Sequence, residues 1–378
     1  MRQLFIPLIL SLSFMPQLIQ AAAVAPPPSL AVKAYLLTDF NSGTIIAMHK
    51  KDERVEPASL TKIMTAYVTF DAIQQGHLKL DQTLPVSEKA WKVEGSKMFI
   101  EPNKPVTVDE LLHGMIIQSG NDASITLAEG VAGSEEQFAQ MMNKQATKLG
   151  MTNTRYMNAT GLPEKTHFTT ASDLAILATA LIRDFPLEYR RLYSVKEYSY
   201  NKITQPNRNR LLWLDANVDG MKTGHTESAG YCLISSAKRG DTRMISVLLG
   251  AVSEAMRASE SQKLLNYGFQ FYESTKVYKQ NQTINTMRVF KGQDKIVSAT
   301  IIKDFYLTLP KGDYAKVKAN MISQQPLIAP IKAGQTIGKI SFTLNGKIIN
   351  EQKLVAAKSV DEAGFVGRII DSVKLMLQ

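Results

Sequence analysis

Ser59 and Lys62 stand three residues apart in the stretch PASLTKIMTAY, residues 57–67. Apolar residues follow at helical spacing, so both belong to a helix start. Residues three apart on a helix are neighbours, which brings an amine to a hydroxyl. A neutral amine there can take the serine proton and create a nucleophile without histidine. The plainer reading is a serine cap with a solvated lysine nearby.

A lysine acts as a base only when its pKa, ordinarily about 10.4, falls through burial or a second cation. Lys222-Thr223-Gly224, the only Lys-Thr-Gly in the chain, offers that cation. Lys222 is expected to hold the Lys62 amine neutral by repulsion and to attract a substrate carboxylate. Thr223 adds a hydroxyl. Gly224 lets a ligand approach the backbone without a Cβ in the way. The third element is Ser119-Gly120-Asn121. Asn121 suits a substrate amide, and Ser119 can relay a proton between Lys62 and a leaving amine. The bland readings are a strand end with a turn glycine, and a helix C-cap. Two decoys exist: Ser235/Lys238, placed on a strand where residues three apart face opposite ways, and Ser199-Tyr200-Asn201.

These residues need elements to position them. The runs AVKAYLLTDF and TIIAMH flank Asn41-Ser42-Gly43 and read as a hairpin. A helix is expected from Ser59 to about Gln75. Thr107 to Glu110 is a capping-box pattern opening LLHGMIIQ, with Ser119-Gly120-Asn121 at its end. Further helices are expected from Ser134 to near Gly150, from Ser172-Asp173, and over SESQKLLNYGFQFYES to Ser274. Strands are expected over 218–226, 230–237 and 242–251. Strands at both ends with helices between them predict an antiparallel sheet with helices packed on it, an α/β sandwich.

From 275 to 358 short apolar runs alternate with turns, and Leu-Asn-Gly-Lys at 344–347 signals a hairpin. This predicts a small all-β domain. It holds 14 Lys/Arg against 4 Asp/Glu, a surplus equal to the whole chain's net charge of +10. At the C-terminus, Phe365, Val366, Ile369, Ile370, Val373, Met376 and Leu377 share one helical face, opposite Arg368, Asp371, Ser372 and Lys374. Such a helix docks on its own domain or lies in a membrane interface.

The chain has 378 residues, enough for two domains. A single cysteine, Cys232, excludes an internal disulfide, and five scattered histidines offer no ligand spacing. No metal or other cofactor is expected. Residues 1–23 combine a positive start, an apolar run from Leu4 to Phe14 and Ala21-Ala22-Ala23, the pattern of a signal peptide. The mature protein is therefore expected to be exported. An exported protein rarely meets nucleic acid, so the basic stretch points to lipid headgroups, wall polymer, a protein or plain solvent.

The order S-x-x-K, S-x-N, K-T-G is the motif set of serine penicillin-binding proteins and β-lactamases. The chain resembles the D-alanyl-D-alanine carboxypeptidases of the penicillin-binding protein 5 type over nearly its whole mature length. QSGNDAS, MNATGLP, VDGMKTGHTESAGY and the ending DEAGFVGRIIDSVKLMLQ carry the resemblance together with PASLTKIMTAY. It implies a catalytic domain over 30–274 with a five-stranded antiparallel sheet between helices, a β-rich domain over 275–358 and a membrane-anchoring helix over 361–378. It implies Ser59 as nucleophile, Lys62 as general base, and Ser119 and Asn121 as the second motif. Lys222, Thr223 and Gly224 would line the edge strand. The backbone N–H groups of Ser59 and His225 would form an oxyanion hole, and Arg257 would bind the substrate's terminal carboxylate. The substrate would be peptidoglycan pentapeptide, with β-lactams acylating Ser59, at the periplasmic face of the bacterial inner membrane.

A class A β-lactamase would need a deacylating glutamate in an E-x-x-L-N-like loop, which is not found between the second and third motifs. A D,D-endopeptidase usually lacks the second domain. A wall-binding scaffold would not require the intact serine and both lysines.

Overall fold

A computed structural model describes residues 24–377, so the expected signal peptide, residues 1–23, lies outside the described residues. The first hairpin is strands β1 (Ala34–Asp39) and β2 (Ile45–His49). The chain returns to them with β3 (Val218–Thr226), β4 (Gly230–Arg239) and β5 (Thr242–Ala251). The sheet is antiparallel in the order β2-β1-β5-β4-β3, as expected. Strand β3, which carries Lys-Thr-Gly, is an edge strand.

Alternation along the strands divides two cores. Leu36, Ile234, Ile245 and Val247 face a larger core shared with helices from the middle of the chain. Leu37, Leu233 and Met244 face a second core with Leu264 and Leu265. Those leucines belong to helix α6 (Glu254–Phe271). The sheet is thus sandwiched between helices. The inner strands are therefore buried on both faces, and all six residues of β1 are buried.

Helix α1 (Lys62–Gln74) is buried on nearly all sides. It packs among α3 (Asn121–Ala132), α4 (Glu135–Leu149) and α5 (Ala171–Asp184). A helix apolar all round belongs inside a domain, and this placement puts Lys62 out of water. Ser59 itself lies in a separate 3-10 turn, Ala58–Thr61, just before the helix. The expected capping box opens α2 (Val108–Ile117): Thr107 Oγ1 accepts from the Glu110 N–H, and Glu110 accepts from the Thr107 N–H. Ser119 and Gly120 do not end a helix into open loop. They join α2 to α3, whose first residue is Asn121.

Helix α6 ends at Phe271, three residues before the expectation. The chain runs straight into strand β6 (Tyr272–Tyr278), which pairs with β9 (Phe305–Pro310). Tyr272, Thr275, Val277 and Tyr278 are strand formers, and pairing with β9 overrides the helical pattern. The remaining β-rich part is a six-stranded sheet. It contains β7 (Asn285–Phe290), β8 (Ile296–Thr300), β10 (Lys318–Ser323), β11 (Leu327–Ile328), β12 (Thr336–Leu344) and β13 (Lys347–Ala356). Asn345 and Gly346 join the last two with φ of +50° and +78°, the paired left-handed turn that Asn-Gly supplies. A separate core of Phe305, Ile337, Ile340, Phe342 and Leu354 fills this part. The two parts meet where Ser274 Oγ donates to Asp39 Oδ1 at 3.1 Å and the hydroxyls of Ser42 and Thr308 lie 2.7 Å apart.

Candidate active site

The turn before α1 is held in an unusual backbone. Ala58 has φ of +47°, a region that costs a residue with a Cβ about 1–2 kcal/mol. Neighbours press on it from two directions. A Cβ on Gly161 would lie 1.8 Å from the Ala58 carbonyl oxygen. A Cβ on Gly224 would meet Leu60 Cγ and the Pro57 carbonyl at 3.2 Å and Ala58 Cβ at 3.3 Å. The open side of Gly224 therefore faces the Ser59 turn. Its lack of a Cβ lets β3 close against that turn.

Ser59 makes no side-chain cap. The bland reading of the serine fails, because the Lys62 amine lies 3.1 Å from Ser59 Oγ. The same Nζ donates to Asn121 Oδ1 at 2.7 Å and to the Thr160 carbonyl at 2.6 Å. Lys62 is 1% exposed, and its pKa falls to about 7. Burial is the first cause. Arg208 lowers it further, while the charges of Asp122 and Glu135 oppose the fall. Of the two causes expected from the sequence, burial and a second cation at Lys222, burial leads. Lys222 is itself buried, its amine pushed well below the lysine range by burial first and then by the charge of Lys62. Repulsion between the two amines is reciprocal, but removal from water outweighs it.

In the neutral state Lys62 has two N–H groups and one lone pair. The carbonyls of Asn121 and Thr160 take the two N–H groups. The lone pair then faces Ser59 Oγ, which is the geometry of a base.

The second motif is brought to the same place. Ser119 has φ of +64° and its Oγ accepts from Lys222 Nζ at 2.9 Å. Lys222 also donates to the Thr223 carbonyl at 3.0 Å. Asn121 is buried, with its Nδ2 donating to the Glu94 carbonyl at 2.7 Å and its Oδ1 taken by Lys62. Both ends of its amide are engaged within the chain, so its visible work is to orient Lys62. The loop at 92–99, KVEGSKMF, packs over this amide: the Ser96 carbonyl accepts from the Asn121 N–H at 2.7 Å.

Near the end of the edge strand, the exposed His225 ring lies on Tyr231 of β4 with centroids 4.0 Å apart. The Arg257 guanidinium sits 5.7 Å from the Tyr231 ring centroid, on the first turn of α6. It is nearly buried, donates to the Arg208 carbonyl at 3.3 Å and pairs with Glu254 at 3.4 Å. The outer side of β3 has no strand neighbour, so its N–H and C=O groups face the site unpaired by the sheet.

A buried Ser–Lys pair, a Ser-Gly-Asn junction and an edge-strand Lys-Thr-Gly therefore converge on one point. The model of the peptidase S11 family, D-alanyl-D-alanine carboxypeptidase, matches residues 20–253, more than half the chain. The chain belongs to this family. A second family model, the C-terminal domain of penicillin-binding protein 5, matches residues 272–362. D-alanyl-D-alanine carboxypeptidase DacC of Escherichia coli K12 is 44% identical over 370 residues, 96% of this chain and 92% of DacC. The crystal structure of penicillin-binding protein 5 from Haemophilus influenzae is 40% identical. It superposes with a TM-score of 0.87, covering 89% of this chain and all of that one. Penicillin-binding protein D2 from Listeria monocytogenes, solved in an ampicillin-bound form, is 31% identical. Its TM-score is 0.60, over 65% of this chain and all of that one.

Within this S11 chain the decoys fall away. Ser235 is fully buried while Lys238 is exposed on the same strand. Ser199 pairs with Thr204 at 2.6 Å, and Asn201 donates to Glu101 at 3.0 Å, both at the exposed surface.

Three contributors were missed from the sequence. The buried carboxylate of Asp122 accepts from the N–H groups of Met98, Phe99, Ile100 and Ala123, pinning the 92–99 loop onto α3. Thr160 supplies a carbonyl to Lys62, and the Asn158 side chain accepts the Thr160 and Gly161 N–H groups to shape that turn. Arg208 adds positive charge to both lysines and Arg257. QSGNDAS and MNATGLP contain the first two, but a backbone carbonyl acting on a lysine 98 residues away leaves no local signal. Among the described residues, no group of three or more His, Cys, Asp or Glu could hold a metal ion.

Proposed function

We propose that this S11 protein is a serine-type D-alanyl-D-alanine carboxypeptidase that removes the terminal D-alanine from peptidoglycan pentapeptide through a Ser59 acyl-enzyme. The observation that carries it is the buried Lys62 amine, 3.1 Å from Ser59 Oγ and with a pKa of about 7. Such an amine is half neutral near neutral pH, where an ordinary lysine is almost wholly charged.

In the first step the Lys62 lone pair takes the Ser59 proton as Oγ attacks the carbonyl between the two D-alanines. The backbone N–H groups of Ser59 and His225 stabilise the tetrahedral oxyanion, helped by the positive end of α1. Ser119 Oγ accepts from Lys222, which leaves its own O–H free to pass a proton to the leaving amine while the proton taken up by Lys62 replaces it, so that Lys62 is neutral again. The C–N bond breaks, D-alanine departs and water hydrolyses the ester. Arg257, with Arg208 beside it, attracts the terminal carboxylate; Thr223 and Gly224 align the substrate along β3. β-Lactams acylate the same serine.

We assign catalysis to residues 30–274, a β-rich module to 275–358 and a lipid-facing helix to 361–378. The two family matches, ending at 253 and beginning at 272, support this division. With residues 1–23 as a signal peptide, the mature protein acts at the periplasmic face of the inner membrane. Among the described residues no helix is long and apolar enough to cross a membrane. The amphipathic helix at 361–378 is assigned peripheral attachment.

D-Alanine release from a peptide ending in Lys-D-Ala-D-Ala, measured for the mature protein and Ser59→Ala, tests the chemistry. Release that vanishes in the variant is expected. No release from the folded unmutated protein would overturn the reading. Truncation after Val360 tests the attachment: the shortened protein should leave the membrane fraction, and one that still pellets with membranes sinks it.

A further inference from the structure

The C-terminal helix α7 (Phe365–Met376) sits on the β-rich domain with its polar side inward. Phe365, Val366 and Met376 are 72%, 69% and 85% exposed, and Ile369, Ile370 and Val373 are also exposed. Asp371 is only 3% exposed. Its Oδ2 accepts from the Lys291 N–H at 2.7 Å and from Lys295 Nζ at 3.1 Å. Next to the helix start, the Ala363 N–H donates to the Lys291 carbonyl at 2.7 Å. At 3.6 residues per turn, Asp371 points directly away from the middle of the apolar stripe.

The hydrophobic effect acting on this helix alone would turn the stripe toward protein. The opposite arrangement holds because Asp371 reaches an otherwise unpaired strand-end N–H and a lysine. Twelve-residue helices are marginal in water by themselves, and Gly364 gives this one no side-chain cap. Its order therefore depends on the contacts around Asp371. Lys295 and Lys374 both face this single carboxylate. The domain beneath carries the surplus of ten positive charges, which suits acidic headgroups.

We propose that Asp371 is a positioning residue that keeps α7 folded and fixed, apolar stripe outward, before any membrane is met, and that the surface so presented binds bilayers with anionic headgroups. This rests on the membrane reading given above and adds to it the residue and the headgroup chemistry. A preformed helix does not have to be ordered on binding, which strengthens attachment. It also fixes how the β-rich domain stands on the lipid.

The test uses the full mature chain, Asp371→Asn and Asp371→Ala, with phosphatidylcholine vesicles with and without phosphatidylglycerol. Hydrogen exchange should find residues 366–376 protected in the unmutated protein without lipid, and protection lost in both variants. Vesicle binding should fall about tenfold in the variants, the effect of losing one charge-assisted contact. D-Alanine release from a soluble peptide should be unchanged, since Asp371 is outside the active site. Free exchange of 366–376 in the unmutated protein, or equal vesicle binding by the variants, overturns the clamp while leaving membrane attachment intact. Equal binding with and without phosphatidylglycerol overturns the headgroup choice. Failure of the unmutated protein to bind either vesicle overturns the membrane reading and this proposal together.

Discussion

The Lys62 amine donates to the main-chain carbonyl of Thr160 at 2.6 Å. A main-chain carbonyl cannot be titrated or mutated away, and it takes one N–H of the amine. With Asn121 Oδ1 taking another, the third position of Nζ is directed at Ser59. The orientation of the base is thus built from two acceptors on separate segments.

The acylation rate should follow the Lys62 amine. Its pKa of about 7 lies below the lysine range, so the base is lost as pH falls through 7 and present above it. Acylation by a chromogenic penicillin should drop about tenfold per unit below that point and level off above it. Lys62→Arg keeps a cation but cannot accept a proton, and should lose about 10²- to 10⁴-fold in kcat/KM. A flat profile across this range would remove Lys62 from the role of base.

Gly161→Ala should be more damaging than Gly224→Ala. At Gly161 φ is +87° and the new Cβ would overlap the Ala58 carbonyl, so both strain and a clash arise. At Gly224 the contacts are only tight, and overpacking of this kind costs about 1–3 kcal/mol. Thermal melts should rank the two in that order, and both should slow acylation by displacing the Ser59 turn. A reversed ranking would mean that the turn is softer than its packing implies.

Arg257→Ala should weaken use of substrates with a free terminal carboxylate. A charge-assisted hydrogen bond contributes about 1.5–3 kcal/mol, so kcat/KM should fall roughly 10- to 100-fold. A peptide amidated at its C-terminus should be little affected by the substitution. An equal fall for both peptides would point to lost packing against Tyr231 and Glu254 instead of carboxylate recognition.

Asp122→Ala should loosen the 92–99 loop and, through it, Asn121. Four main-chain N–H groups lose their acceptor, each buried donor left unpaired costing about 1–3 kcal/mol before relaxation. A lowered melting temperature together with slower acylation is expected. Unchanged acylation in a folded variant would separate the loop from catalysis.

Residue types and spacing alone determined the motif set, the strand-helix-strand order and the stripe on the last helix. These are local: a helix period or a three-residue motif is written in neighbouring positions. Ser59, Lys62, Ser119, Asn121 and Lys222 could be named because motif chemistry depends on residue type. Tertiary structure decided what depends on distant segments. Lys62 is lowered chiefly because α1 lies at the centre of a domain, and no residue beside it announces that burial. Gly224 serves the Ser59 turn because β3 closes on residues 57–60, a contact between segments far apart in the chain. The stripe of α7 was legible, but which side docks was decided by Asp371 meeting the Lys291 N–H across the fold. Burial and hydrogen-bond geometry are properties of the packed chain, and one residue's spacing from the next does not contain them.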